Sequence, residues 1–186
     1  MPSRRSASKS SNDAIAMLKA DHDKVKKMFK DFEHLHEQDS TDQAEQLAKQ
    51  ICNELTVHST LEEEIFYPEV RSAIEDDDLI DEAEIEHASA KELISQIESM
   101  SASDDKYAAK VIVLGEYINH HIKEEQGEMF PKAKKAKVDL AGLGERMLAR
   151  KQQLKAQMGM EDDAGEMEDG GDTERAGHSR SSHASR

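Results

Sequence analysis

This sequence predicts an all-α protein: an antiparallel up-down four-helix bundle with an additional C-terminal helix. Three observations lead there. Only three prolines interrupt the 186 residues. Apolar residues recur at steps of three and four, the spacing of one helix face. No stretch sustains the alternation of polar and apolar residues that marks a strand.

The first helix starts near Asn12 or Asp13 and runs to about His36, with Ile15, Leu18, Val25, Phe29 and Phe32 on one face. His34 and His36 lie near its end, where positive charge suits the helix dipole. Ser40 with Gln43 has the spacing of a capping box and opens a second helix that reaches at least Tyr67. The acidic run from Glu75 to Asp78 opens the third, about 79–100, because negative charge favours a helix N-terminus. Ser103 is placed to cap the fourth, about 104–130. A last helix, about 139–158, carries Leu140, Leu143, Met147, Leu148 and Leu154. Residues 13–158 thus read as one domain. Residues 1–12 and 159–186 read as disordered tails, the second holding five of the nine glycines and no aromatic residue. His178 and His183 fall in that tail, where metal binding would be incidental.

Composition narrows the function. With 25 basic and 40 acidic residues the formal charge is −15, which argues against nucleic acid or an anionic membrane as the main partner. No run approaches the roughly 18 apolar residues of a membrane span. The single cysteine, Cys52, rules out an internal disulfide and a cysteine-based zinc site. The expected location is the cytoplasm. The four lysines of "PKAKKAK" at 131–137 read as a solvated face between two helices.

The core stripes contain the informative exceptions. The first helix reads Ile15, Leu18, His22, Val25, Phe29, Phe32, and the second Leu47, Ile51, Leu55, His58, Glu62, Ile65. The third reads Ile80, Ala83, His87, Ala90, Ile94, Ile97, and the fourth Val111, Leu114, Ile118, His121, Glu125, Glu128. Each stripe carries a histidine, and two add a glutamate one turn later. The two glutamate-bearing stretches also repeat. "HSTLEEEIFYP" at 58–68 and "HIKEEQGEMFP" at 121–131 share His, then Glu at the fourth place, then an aromatic residue and Pro at the tenth. Aligning the prolines selects His121 with Glu125 over the neighbouring pair His120 and Glu124.

Burying an ionised carboxylate costs several kcal/mol even after relaxation, against a net stability of about 5 to 15 kcal/mol for a whole domain. His22, His58, Glu62, His87, His121 and Glu125 must therefore be satisfied together. Histidine with carboxylate is the donor set of a borderline or hard transition metal. A His and a Glu four apart lie about 5 to 6 Å apart at Cβ, close enough to share one ion or to let the glutamate bridge two. In the alternative, each histidine is a hydrogen-bonded core residue and the protein is a metal-free helical module whose acidic surface recruits a basic partner.

The residues "DHDKVKKMF" around His22, "HSTLEEEIFYP", "EHASAKELI" around His87 and "HHIKEEQGEMFP" together resemble the hemerythrin-like, or HHE, domain family over roughly 13–131. The resemblance implies a cofactor of two non-heme irons, oxo- or hydroxo-bridged, with Glu62 and Glu125 bridging and His22, His58, His87 and His121 as terminal ligands. It implies O2, hydrogen peroxide or nitric oxide as partners, in sensing or oxidative-stress handling, with a catalase-like peroxide-consuming enzyme as the alternative. A protein partner would relay any sensing output. The chain departs from oxygen-carrying hemerythrins in placing Lys91 where they have a second third-helix histidine, and Glu125 where their spacing supplies an aspartate. That departure opens coordination positions and speaks against a simple oxygen carrier.

Other side chains receive plainer readings. Lys91 is expected to extend along its helix flank with its amine in water. Tyr67, Tyr107 and Tyr117 are expected to pack with their hydroxyls at the rim. The methionines read as core filler and Cys52 as a small, half-buried side chain. Glu63, Glu64, Glu124 and Glu128 read as surface groups or as partners behind the ligands, with Glu128 on the stripe and placed to bond a ligand histidine.

Overall fold

The computed structural model describes residues 13–160. The tails expected at 1–12 and 159–186, with His178 and His183, lie outside the described residues except for Gly159 and Met160, of which Met160 packs against the core. The elements run α1 (Ala14–Glu37), α2 (Thr41–Leu61), a first π turn (Glu62–Phe66), α3 (Tyr67–Ala73), α4 (Asp77–Glu98), α5 (Tyr107–Glu124), a second π turn (Glu125–Met129), α6 (Phe130–Lys135) and α7 (Leu140–Gln157). The π turns make α2 with α3, and α5 with α6, continuous rods. α1 packs on α2, α2 on α4, α4 on α5 and α5 on α1, closing a four-cornered bundle. α7 lies outside it against α1, α2 and the first π turn.

Helix starts follow local hydrogen bonding. Asp13 caps α1 by accepting from the Ala16 amide at 2.8 Å. Two expected caps are not made. Ser40 stands at the N-cap of α2, but its backbone has ψ of 62° and its side chain makes no capping hydrogen bond; an extended N-cap is what aims a hydroxyl at the next turn's amides. Ser103 is not a cap, and α5 starts at Tyr107, three residues later than expected. The polar run instead closes a turn on itself, with the Ser101 amide donating to Asp104 Oδ2 at 2.8 Å and the Asp104 amide to the Ser101 carbonyl at 2.9 Å. α4 begins at Asp77, inside the acidic run.

The π turns are the larger departure. Each starts at a stripe glutamate and ends before the aromatic–proline pair, with the Tyr67 amide donating five residues back to the Glu62 carbonyl and the Phe130 amide to Glu125. Pro68 and Pro131 lack an N–H, and their rings crowd the preceding turn; a widened turn takes up the extra residue. The face then advances by one position. Met129 is buried and Glu128 is exposed, so Glu128 bonds no histidine and lies instead 3.7 Å from Lys132.

Two apolar clusters fill the bundle. One gathers Leu18, Leu61, Phe66, Val70, Ile80, Phe130 and Met147; the other Val25, Phe32, Ile51, Leu55, Ile94 and Leu114. The stripe histidines fall at the seam between them. Gly115 lets α5 come close to α1, since a Cβ there would lie 3.0 Å from Phe29 Cδ1. α7 is held by cations on bundle carboxylates: Arg150 is bidentate on Glu64 at 2.7 and 2.9 Å, Arg146 meets Glu69 at 2.7 Å, and Lys151 meets Asp21. Among the described residues no helix is long and apolar enough to cross a membrane.

Leu61 is fully buried in the first cluster. Leu61→Ala is expected to lower stability by about 2 to 5 kcal/mol, read as a shift of the denaturant midpoint of the intact chain.

Candidate metal centre

All six stripe residues are buried, with Glu62 at 0% and Glu125 and His22 at 1% exposure. Their inner atoms converge. His22 Nε2 lies 3.1 Å from His58 Nε2 and 3.2 Å from Glu125 Oε2; His58 Nε2 lies 3.2 Å from Glu62 Oε2. On the other side His87 Nε2 lies 3.2 Å from His121 Nε2 and 3.3 Å from Glu62 Oε2, and His121 Nε2 lies 3.5 Å from Glu125 Oε2. Two donor groups result, His22–His58–Glu62–Glu125 and Glu62–His87–His121, with Glu62 common to both. Donors bound to one ion at about 2.1 Å are themselves about 3.0 to 3.4 Å apart, so these spacings match the edges of coordination polyhedra.

The hydrogen-bond inventory supports the same fit. Among the described residues, the buried side-chain atoms without a hydrogen-bond partner are His58 Nδ1, both Glu62 oxygens and Glu125 Oε2. Buried acceptors are normally satisfied. Three orphaned carboxylate oxygens facing four imidazole nitrogens are what a cation satisfies and packing does not.

The electrostatics point the same way. Burial alone would raise the Glu62 pKa, but His58 and His87 outweigh it and hold this carboxyl well below its usual range. Burial and the Glu62 charge push Glu125 up to about 8, which opposes ionisation of both carboxylates at once near neutral pH. Burial and then His58 drive His22 down to about 3. Burial opposes charge on His87, yet Glu62 and Glu63 lift it to about 9. His58 is likewise raised by Glu62 against the effect of its burial.

Behind the inner atoms stands a ring of orienting groups. The outer Nδ1 of His87 meets Glu63 Oε1 at 3.0 Å, that of His121 meets Glu86 Oε2 at 2.8 Å, and that of His22 meets the Gln126 amide at 2.9 Å. His58 Nδ1 faces Asp21 Oδ2 at 3.6 Å, an ion-pair distance too long for a hydrogen bond. Each orienting residue is the immediate neighbour of a stripe residue on its own helix and serves a histidine of the adjoining helix. Glu63 and Glu86 accept from Nδ1, which fixes ring orientation and leaves Nε2 of His87 and His121 free for a metal, whereas Gln126 presents its amide nitrogen to His22 Nδ1 and serves in the same way once the amide turns its oxygen there. Of the four, only Glu63 carried a sequence reading close to this role. The available signal was position: a residue next to a core-facing one lies about 100° round the helix, toward the neighbouring helix.

Two further readings change. Tyr67 is buried at 1% exposure, and its hydroxyl points into the centre instead of the rim, 3.2 Å from Glu125 Oε1 and 3.3 Å from His87 Nε2. The residue added by the π turn aims it there, and burial with the Glu125 charge holds its proton well above the usual phenol range. Cys52 is fully buried, its thiol pushed up to about 12 by burial. Lys91 keeps its amine at the surface as expected, where it meets both oxygens of Glu63 at 2.6 Å. A cavity of about 20 Å³, measured for the centre of a water-sized molecule, lies over the four histidines and is walled by Val25, Leu55, Ile94 and Ile118. It has room for one water-sized molecule.

The hemerythrin HHE cation-binding domain model matches residues 13–133. This chain belongs to that family. Among curated proteins it is similar to a DNA nickase of Nostoc sp. (strain PCC 7120 / SAG 25.82 / UTEX 2576), 29% identical over 114 residues that make up 61% of this chain and 31% of the relative. The chain therefore matches under a third of that protein's length. Among solved structures, a hemerythrin HHE cation-binding domain-containing protein from Mycobacterium kansasii superimposes with a TM-score of 0.63 at 22% identity, covering 78% of this chain and 88% of the other. The second likeness establishes the shared fold. The HHE bundle described here is thus a cation-binding type with buried His/Glu clusters able to hold metal.

The titrations make the metal-free HHE bundle sensitive to pH on both sides. His87, raised in the folded state, contributes stability below pH 6.5 that is lost as pH climbs to about 9, and raised Glu125 acts in the same direction. His22, lowered to about 3, contributes stability above 6.5 that is lost as pH falls, and lowered Glu62 adds to this below 4.5. Melting of chelator-treated protein between pH 4 and 9 should show a maximum at about pH 5 to 6, because Glu125 loses its contribution from about pH 4.5 upward and offsets the gain from His22, and added divalent metal should restore the alkaline side while releasing protons.

Proposed function

We propose that His22, His58, Glu62, His87, His121 and Glu125 would hold two non-heme irons, and that this centre binds or reacts with O2, hydrogen peroxide or nitric oxide. The observation that carries the reading is the convergence of six buried donors at 3.1 to 3.5 Å with three carboxylate oxygens left without hydrogen-bond partners. Iron, as opposed to another hard or borderline ion, rests on the family. The irons, when bound, supply a redox couple and open positions for a small ligand.

The chain's own residues do the rest. Glu63, Glu86 and Gln126 hold imidazole planes by hydrogen bonds, and Asp21 faces His58 at ion-pair distance. The apolar wall of the cavity keeps bulk water away from the inner donors, and its volume admits a diatomic or a peroxide but no organic substrate. Tyr67 keeps a proton on an oxygen beside Glu125 and His87, ready to bond or to donate to a small ligand bound between them. Sensing or oxidative-stress handling in the cytoplasm, with a protein partner for the output, is the role these features suit. The net charge of −15 opposes tight binding of nucleic acid, so the nicking activity of the Nostoc relative is not carried over.

The buried Tyr67 hydroxyl also favours a second reading, a catalase-like enzyme that disproportionates two hydrogen peroxide molecules to two waters and O2. A proton donor aimed at the ligand position is what peroxide cleavage uses, and a reversible carrier has less need of it.

Metal analysis and ultraviolet-visible absorption of aerobically purified protein test the proposal. About two irons per chain with ligand-to-metal bands support it; no metal after reconstitution with ferrous iron leaves the interaction module standing. Glu62→Ala with Glu125→Ala should abolish two-ion binding, whereas His178→Ala with His183→Ala should leave it intact. Full occupancy in the double glutamate variant would refute the ligand set. If the protein consumes peroxide, Tyr67→Phe should keep its metal and slow turnover by about 10²-fold, the lower range for a lost proton donor.

A further inference from the structure

The repeat contains a second His-x-x-x-Glu pair, His120 with Glu124, one residue out of step with the buried one. The bundle turns His121 and Glu125 inward and leaves His120, about 100° round α5, 63% exposed. There it is joined by a residue from another helix. His120 Nε2 lies 3.2 Å from Glu124 Oε1 and 3.4 Å from Glu86 Oε1 of α4, and the three donors fall within 4.8 Å of one another. A tetrahedral ion with bonds of about 2.1 Å places its donors about 3.4 Å apart, close to both measured edges. A surface ion pair needs only His120 and Glu124; the third donor, brought from α4, makes a chelate.

Glu86 has a double position. Its Oε1 faces His120 at the surface, and its Oε2 accepts from Nδ1 of buried His121 at 2.8 Å. The face is also open. In the first repeat the places of His120 and Glu124 are taken by Val57 and Leu61, both buried, and the orienting Asp21 on that side is met by Lys151 of α7. α7 does not extend over the α4–α5 side, where Ile85, Glu86, Ser89, Tyr117 and His120 line a depression of about 370 Å³. The depression gives water and an arriving ion access to Glu86 and His120.

We propose that Glu86, His120 and Glu124 form a surface site for one divalent transition ion, completed by water, and that this site feeds the buried centre through Glu86. One imidazole with two carboxylates suits ferrous iron, manganese or zinc. The feeding role rests on the two-iron reading above; the surface site itself does not, because none of its donors is among the six buried ones.

The test uses the full chain. With the buried centre first loaded with iron, zinc titration followed by calorimetry should detect one further ion in the unaltered protein and none in His120→Ala/Glu124→Gln, whose substitutions lie at the surface. Ferrous uptake into metal-free protein, followed by the growth of absorption, should be several-fold slower in the same variant with an unchanged end point. The absence of a further ion, or its persistence in the variant, overturns the site; equal uptake rates overturn the feeding role. Glu62→Gln/Glu125→Gln should lose the buried irons and keep the surface zinc, so failure of the buried assignment and failure of the surface assignment read out separately.

Discussion

The structure depends on one constraint: two carboxylates and four imidazoles occupy a volume from which water is excluded. In the absence of a cation, charge can be shared only unevenly. Glu62 stays ionised among histidines while Glu125 is driven toward its protonated form and His22 toward its neutral one. Such a core is stable only if every helix keeps its register, because a slip of one residue would leave an unpaired charge in an apolar wall. The bundle's two apolar clusters grip the helices above and below this seam, and the orienting groups lock it from outside.

Much of this was legible from the order of residues. The six inner residues were found by stepping three and four along each helix, and all six are buried together, because a stripe interrupted by polar groups contradicts its own burial unless those groups meet. The fold class followed from the same periodicity. What escaped was geometry that depends on hydrogen bonds the periodicity does not encode. A step of 3.6 residues carried past Glu125 lands on Glu128, whereas the second π turn delivers Met129. Likewise Tyr67 was read as a rim residue because a regular helix does not aim it inward. Pro68 and Pro131 were the signal, since a proline deep in a helix must be accommodated by a distorted turn. Ser40 and Ser103 failed as caps for a local reason: their backbones are already committed to turns.

The orienting ring shows a different limit. Asp21, Glu63, Glu86 and Gln126 look like ordinary solvent-facing residues in a chain with 35% charged residues. Only the closed order of helices, α1 to α2 to α4 to α5 and back, reveals that each reaches across one contact to the next histidine. Support of this kind places a side chain more firmly than its own rotamer preference, and it makes the inner cluster cooperative: disturbing one helix shifts the backing of a donor on another.

The internal repeat relates α1 to α4 and α2 to α5, so that His22 corresponds to His87, Glu62 to Glu125 and Asp21 to Glu86. The halves differ in the groups behind them. Phe130 stacks flat on His22 at 5.9 Å between ring centres, while its counterpart Tyr67 lays a hydroxyl against His87. Gln126, a neutral amide, backs His22, while the ionised Glu63, itself tied to Lys91, backs His87. The two donor groups, four residues around His22 and His58 and three around His87 and His121, thus carry a neutral backing on one side and an anionic one on the other. An anion behind an imidazole strengthens it as a donor, so His87 is the better-supported ligand of the two and His22 the weaker.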